Sequence, residues 1–317
     1  MVTAADASVV VPSYRRPELL KRCLTGLARL DHLPGEVVVV HRADDPATAA
    51  VATWTWPVPV VAVAVTQPGV LAAMRAGVGR SRLPFVAFTD DDAEPTPSWL
   101  DQLIGNFAPG IGAVGGKDVL RHVTAARTDV VGRRLRSGRY VGMHHAGWGS
   151  PREVDVLKGV SMVFRSEALW LPVAGVLRGQ GAEVDFEILT CRAAQRAGWK
   201  VLYDPASLTD HIEGQRFDDD ARSGPNVVAI ENAVHNVVVA SSLLDRRRTV
   251  LQVCSALLLG RSPRPGLGRT VVGLVRRESG AVVRFRAVCR GALQGLSTVR
   301  HTDPDTALVS ASTLRAS

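Results

Sequence analysis

Three aspartates in a row, Asp90, Asp91 and Asp92, close the apolar run Phe85-Val86-Ala87-Phe88, and Pro95 and Pro97 follow close behind. Adjacent carboxylates repel one another, so folding alone gives no reason to collect them at the end of a buried strand. A hard divalent cation does give one. Carboxylate oxygens are the ligands Mg2+ or Mn2+ prefer, and such ions keep positions open for substrate phosphates. On an extended chain alternate residues point the same way, so Asp90 and Asp92 are expected to share one ion, with Asp91 turned toward the fold. A second acidic triplet, Asp218 to Asp220, has no buried strand before it and reads as a solvated turn.

Such a cluster must be carried by a rigid frame, and the flanking sequence supplies one. Residues 7–14, 35–45, 58–65 and 85–92 each begin as β-branched or aromatic runs. Between them, 16–30 and 69–81 carry apolar residues at helical spacing, the first with Pro17 in its opening turn. Strands alternating with helices predict a doubly wound, mostly parallel sheet. In such sheets ligands sit at the carboxyl ends of the strands. Pro12-Ser13-Tyr14, the His41–Asp45 loop and Asp90–Asp92 are all expected on that one rim. Further on, a short helix is predicted over 97–107, a Gly-rich strand over 111–120, a mobile loop region over 121–153, and a helix from Val184 to Ala197 ended by Gly198.

The 317 residues are 46% hydrophobic and 21% charged, which excludes a disordered chain. The four cysteines, Cys23, Cys191, Cys254 and Cys289, show no metal-like spacing and suit a reducing compartment. No basic leader precedes the first apolar run, and no run reaches the roughly 18 apolar residues of a membrane span. The expectation is a cytoplasmic protein, peripheral on the inner face of the plasma membrane.

Four stretches, VVVPSYRRPELLKRCLTGL, GVLAAMRAGVGRSRLPFVAFTDDDAEPTPSWLDQL, VLKGVSMVFRSEAL and AEVDFEILTCRAAQRAGWKVLYDPASLTDH, occur in this order over residues 7–215. Together they resemble a family 2 glycosyltransferase of the GT-A fold. The resemblance implies transfer of a sugar from a nucleotide-diphospho-sugar to a hydroxyl of a glycan, lipid-linked or small-molecule acceptor, with inversion. It puts a DxD motif on Asp90 and Asp92, with His211 completing the shell of Mn2+ or Mg2+. Contacts to the nucleotide-sugar are expected from Pro12, Ser13, Tyr14, Arg15, Asp44, Asp45, Arg75, Asp90, Asp91 and Gly159, and from Arg216 in a closing loop. His41 and Arg42 stand where the family commonly has an aspartate for uracil, so the base is open. The catalytic base falls on Glu183 first and Asp185 second, since an acceptor hydroxyl must lose its proton as it attacks. Trp148, His144 and His145 lie where an acceptor sugar could stack. A nucleotidyltransferase would want a glycine-rich phosphate loop, which VPSYRRPE is not, while a non-catalytic nucleotide-sugar binder stays open.

The chain divides, on this reading, into a GT-A domain over 1–222, a basic helical extension over 223–300 and a disordered tail over 301–317. The extension holds twelve arginines between 245 and 300 against Asp245 and Glu278, in a protein of net charge +8. Interleaved with apolar runs, they fit an anionic membrane surface. Nucleic acid is not expected, because only Phe285 offers a stacking ring there. The pairs Glu231/His235 and Asn232/Asn236 read as a solvated helix face.

Overall fold

The computed structural model describes residues 2–120, 122–212, 214, 215, 217, 226–261 and 264–316. Strand β1 (Ala7–Ser13) leads into α1 (Pro17–Leu27), β2 (Glu36–Arg42), α2 (Pro46–Ala52), β3 (Val60–Val65), α3 (Val70–Arg80) and β4 (Phe85–Phe88). β1 pairs in parallel with β2 and β4, and β2 with β3. Helix α2 was not expected: its seven residues are too few for a periodic signal, and its start rests on the Asp45 cap and Pro46.

Next come β5 (Ala93–Pro95), α4 (Trp99–Gly105), β6 (Ile111–Val119), the two-residue strands β7 (Arg133–Arg134), β8 (Tyr140–Val141) and β9 (Arg152–Glu153), then β10 (Met162–Arg165), β11 (Trp170–Pro172), α5 (Phe186–Arg196) and β12 (Lys200–His211). The main sheet runs β3-β2-β1-β4-β10-β6-β12-β5, with β9 joined to β12. β10 is antiparallel to β4 and β6, so its entry at Met162 lies beside Phe88 on the rim where β4 ends. Between Tyr203, opposite Gly115, and Leu208, opposite Lys117, β12 bulges. Asp204 fixes the bulge by accepting from the Ala206 N–H at 2.8 Å and the Asn106 amide at 2.7 Å. Beyond it β12 turns antiparallel to β5 and sets His211 opposite Ala93.

Alternation along the strands divides the core. Val9, Val11, Val37 and Val39 face α1 and α4, burying Leu20, Leu24, Trp99 and Leu100. Val10, Val38, Val40 and Phe88 face α3 and α5, burying Leu71, Met74, Val78 and Leu189. The irregular stretch before β9 buries Val131 and His144, so it too is anchored to the core.

The C-terminal part holds α6 (Val227–Ser242), α7 (Thr249–Leu258), β13 (Gly260–Arg261), β14 (Arg264–Pro265), α8 (Leu267–Val275), α9 (Ala281–His301), β15 (Leu308–Ser310) and α10 (Ala311–Ala316). Val239, Ala240, Leu243 and Val299 join the α3–α5 core. Two expectations are corrected. The tail is ordered: β15 pairs with β11, and Arg315 of α10 donates to the Leu83 carbonyl at 2.7 Å. Such a three-residue strand carries no periodicity and is stabilised only by the edge it meets. The second correction is His235 and Asn236, which are fully buried rather than solvated. His235 meets the Thr298 hydroxyl at 2.9 Å, and Asn236 exchanges two 2.8 Å hydrogen bonds with the backbone of Arg178.

Burial pushes His144 and His235 down to about 4 from the ordinary 6.5, so both are neutral in the fold. The unfolded chain takes up these protons as pH falls through 6.5, whereas the fold resists until about 4. The urea midpoint is therefore expected to fall across that window, and His235→Gln to make the decline shallower. An unchanged slope in the variant would remove His235 from this account.

Candidate functional site

The acidic cluster sits where β4 leaves the sheet. Thr89 is still tied to β1 through Val10, but the chain then turns, with the Ala93 N–H bonded to the Asp90 carbonyl at 3.2 Å. The turn, rather than strand alternation, brings Asp90 and Asp92 together. Asp91 is fully buried, accepts from the Ser13 hydroxyl at 2.7 Å and pairs with Arg16 at 2.8 Å. The other nitrogen of Arg16 reaches Asp92 at 2.9 Å, and the Gly214 N–H donates to the same Asp92 oxygen at 2.7 Å. Arg16 was missed by sequence reasoning, which chose its neighbour; the doubled Arg15-Arg16 was the available signal. Arg15 instead adopts φ 55° and lies 4.9 Å from the Tyr14 ring, outside the cleft lining.

These contacts set the charges. Burial pushes Asp91 up to about 7, with Arg16 opposing it. Burial would also raise Asp92, but His211, Arg16 and the Gly214 N–H outweigh it and hold its carboxyl well below the usual range. Asp90 is raised by burial and by the charge of Asp92. Burial disfavours charge on His211, yet its bond to Asp92 and the charge of Asp90 leave it raised.

One ligand atom each from Asp90, Asp92 and His211 lies within 4.8 Å of the others. His211 Nε2 lies 3.4 Å from Asp92 Oδ1, and the other ring nitrogen, Nδ1, is buried with no hydrogen bond among the described residues. Two carboxylates and an imidazole gathered this closely are a donor set that fits a divalent cation. Sequence reasoning named these three residues, and the β12–β5 pairing is what assembles them.

A cleft of about 430 Å³ opens over this cluster. On the side of β1 and β2 it is lined by Pro12, Ser13, Tyr14, His41 and Arg42. Arg42 lies 4.5 Å from the Tyr14 ring centre, and Phe217 meets the same ring edge-on at 6.0 Å. Asp44 and Asp45 do not line the cleft. Asp44 holds the Tyr14 hydroxyl at 3.3 Å, while Asp45 caps α2 and accepts from the Arg15 N–H. Burial would raise Asp45, but those hydrogen bonds outweigh it and lower its pKa. Arg75 also points away, bonded to the Pro172 carbonyl at 2.6 Å. Arg216 lies outside the described residues.

Opposite stand Lys158, Gly159 and the head of α5. The helix begins at Phe186, two residues later than expected, because Asp185 holds φ 70°. Glu183, expected as the base, is buried outside the lining: its Oε2 accepts from the Leu71 N–H at 2.8 Å and caps α3. Gly69 makes this possible, since at φ 109° its Cβ position is 2.5 Å from that oxygen. Asp185 does line the cleft, paired at 2.8 Å with Arg264 from β14. So does Glu187, whose Oε1 accepts from the Gly159 N–H at 3.2 Å and whose carboxyl is raised by burial. Glu187 was overlooked, though the alternation Glu183-x-Asp185-x-Glu187 signalled it. Of the three acceptor-side candidates only His144 lines the cleft; Trp148 is 52% exposed away from it.

A family model described as glycosyltransferase like family 2 matches residues 5–223. Pre-mycofactocin glycosyltransferases of Mycobacterium tuberculosis are 25% identical over 218 residues, 68% of this chain and 44% of theirs. The chain thus spans less than half the length of these curated relatives. The mannosyltransferase PcManGT from Pyrobaculum calidifontis, solved in complex with GDP-Man and Mn2+, superposes with a TM-score of 0.53 at 15% identity, over 93% of this chain and 88% of that one. That likeness is one of fold.

Because Arg16 bridges the two buried aspartates, Arg16→Ala is expected to cost roughly 1–3 kcal/mol in urea denaturation. A loss below about 0.5 kcal/mol, the scale of an ordinary surface change, would show that the bridge is not needed.

Proposed function

The chain belongs to glycosyltransferase family 2, and from that premise we propose that it moves a sugar from a nucleotide-diphospho-sugar to an acceptor hydroxyl in a metal-dependent, inverting reaction. The observation that carries the reading is the Asp90–Asp92–His211 cluster, one ligand atom of each within 4.8 Å of the others, in the cleft that Tyr14 and Glu187 line. Those three residues would hold Mn2+ or Mg2+, which when bound supplies positive charge to the diphosphate as it leaves. Tyr14, His41 and Arg42 offer the nucleoside a platform of ring and guanidinium. Arg16, through its grip on Asp91 and Asp92, keeps the acidic turn in shape before the donor arrives.

On the far side, Glu187 takes the place first given to Glu183 as the base. The acceptor oxygen bonds to the anomeric carbon, its proton passes to the Glu187 carboxylate, and the bond to the diphosphate oxygen breaks. One displacement from the opposite face inverts the configuration. A carboxyl raised by burial is suited to accepting that proton near neutral pH. Asp185, with Arg264, flanks the reacting groups and can orient the acceptor. The acceptor is a glycan, lipid-linked or small-molecule alcohol, and we place it at an anionic membrane surface. The fold neighbour's ligands, GDP-Man and Mn2+, are the first pair to try.

Two measurements test this. In a thermal-shift panel of UDP-, GDP- and dTDP-sugars, one nucleotide class is expected to raise the melting temperature only with Mn2+ or Mg2+, and Asp92→Asn to abolish that rise. No metal-dependent shift with any of them would sink the reading. Glu187→Gln should lower sugar transfer by about 10²–10⁴ with donor binding retained, whereas Glu183→Gln should act mainly on stability. Full transfer by the Glu187 variant would remove it as the base.

A further inference from the structure

The most buried positions of α7 and α8 are polar or glycine, and their most exposed ones are apolar. α7 buries Thr249, Gln252 and Ser255 and exposes Val250 (73%), Leu251, Cys254 and Leu258. α8 buries Thr270 and Gly273 while Leu267, Val271, Leu274 and Val275 (78%), one helical face, point outward. An amphipathic helix on a water-exposed surface has the opposite polarity. Three of the inward polar groups are bonded: Thr249 and Thr270 donate to the Arg246 and Gly266 carbonyls at 2.8 and 3.0 Å, and Gln252 donates to the Gly138 carbonyl. Val253, Ala256 and Leu257 of α7 meanwhile pack on the α6–α9 cluster. Helix α7 therefore cannot roll to hide its outer face without breaking the Gln252 bond to Gly138 and this packing. Leu259, Val282 and Val283 are exposed as well, and apolar exposure on this scale marks an interaction site.

The charge around it selects the partner. Arg269, Arg276, Arg277, Arg286 and Arg290 are exposed near the apolar residues in sequence, and Glu278 is the single acidic residue from 246 to 300. An apolar centre with an arginine border complements an anionic bilayer surface. No described helix is long and apolar enough to cross a membrane, so the fit is to lying in its interface. Between the two helices, β14 carries Arg264 to Asp185 in the cleft lining. We propose that the outward faces of α7 and α8 dock on an anionic lipid surface and thereby set the cleft beside it. The docking deepens the membrane placement above and does not require the transferase reading.

The test is co-sedimentation of the full chain with phosphatidylcholine vesicles, pure or containing roughly 30% phosphatidylglycerol. The expected result is pelleting with the anionic vesicles only. Affinity should fall about tenfold or more in the double variants Val271→Glu/Leu274→Glu and Arg276→Glu/Arg277→Glu, which change exposed residues. Unchanged melting temperatures and metal-dependent nucleotide shifts in both variants would show that the fold and donor site are intact. Absence of pelleting with anionic vesicles overturns the proposal, as does equal pelleting by the variants. A dimer in light scattering that Val271→Glu/Leu274→Glu converts to monomer, with no vesicle binding, would assign the face to a second copy. Loss of nucleotide binding with vesicle binding kept would count against the transferase reading alone.

Discussion

Arg16 is the contact on which the site depends. Three carboxylates at the end of β4 would repel one another, and one guanidinium spans two of them, Asp91 at 2.8 Å and Asp92 at 2.9 Å. Asp91 has no exposure to water, so its charge is disfavoured and its pKa lies near 7. Asp92, tied to Arg16, His211 and a backbone N–H, is held ionised. Neighbouring aspartates thus acquire opposite tendencies: one anchors the turn to Ser13 and β1, the other stays charged in the cleft lining beside His211.

A second constraint acts across the cleft. The segment before α5 is fixed from two sides, to α6 through Asn236 and Arg178 and to α3 through Glu183 and Leu71. Clamped there, Glu183 and Asp185 hold left-handed backbone angles. Arg15 and Met143 do the same beside cleft-lining residues, so four of the five such non-glycine residues described lie next to the site. Strain of this kind persists only where surrounding contacts enforce it, and it collects at sites that need fixed geometry. The buried His235 contact with Thr298 extends that support into α9.

The sheet order and the acidic cluster could be read from the chain because they rest on local patterns: β-branched runs, helical spacing and a carboxylate triplet. What could not be read depended on distant partners. Nothing near Glu183 announces that a helix terminus more than a hundred residues earlier will take its carboxylate, so Glu187 was passed over beside it. Arg16 and Arg15 are chemically identical in sequence, and only the backbone turn at Arg15 decides which enters the cleft. His235 and Asn236 looked solvated because the helix that covers them, α9, follows far downstream. The tail looked disordered because β15 exists only as a partner of β11. Family resemblance supplied His211, but the hydrogen-bond register explains how it reaches Asp92.

That register has an evolutionary side. His211 faces Asp92 because the bulge at Asp204–Ser207 fixes how many residues β12 uses before it meets β5. Side chains alternate along a strand, so losing or gaining one residue there without compensation would turn His211 to the opposite face. Length variation in this stretch is therefore restricted to paired steps or to changes the bulge itself absorbs. A substitution that keeps the Asp204 hydrogen bonds leaves this parity intact and a single insertion does not, much as a reading frame tolerates substitutions better than single insertions.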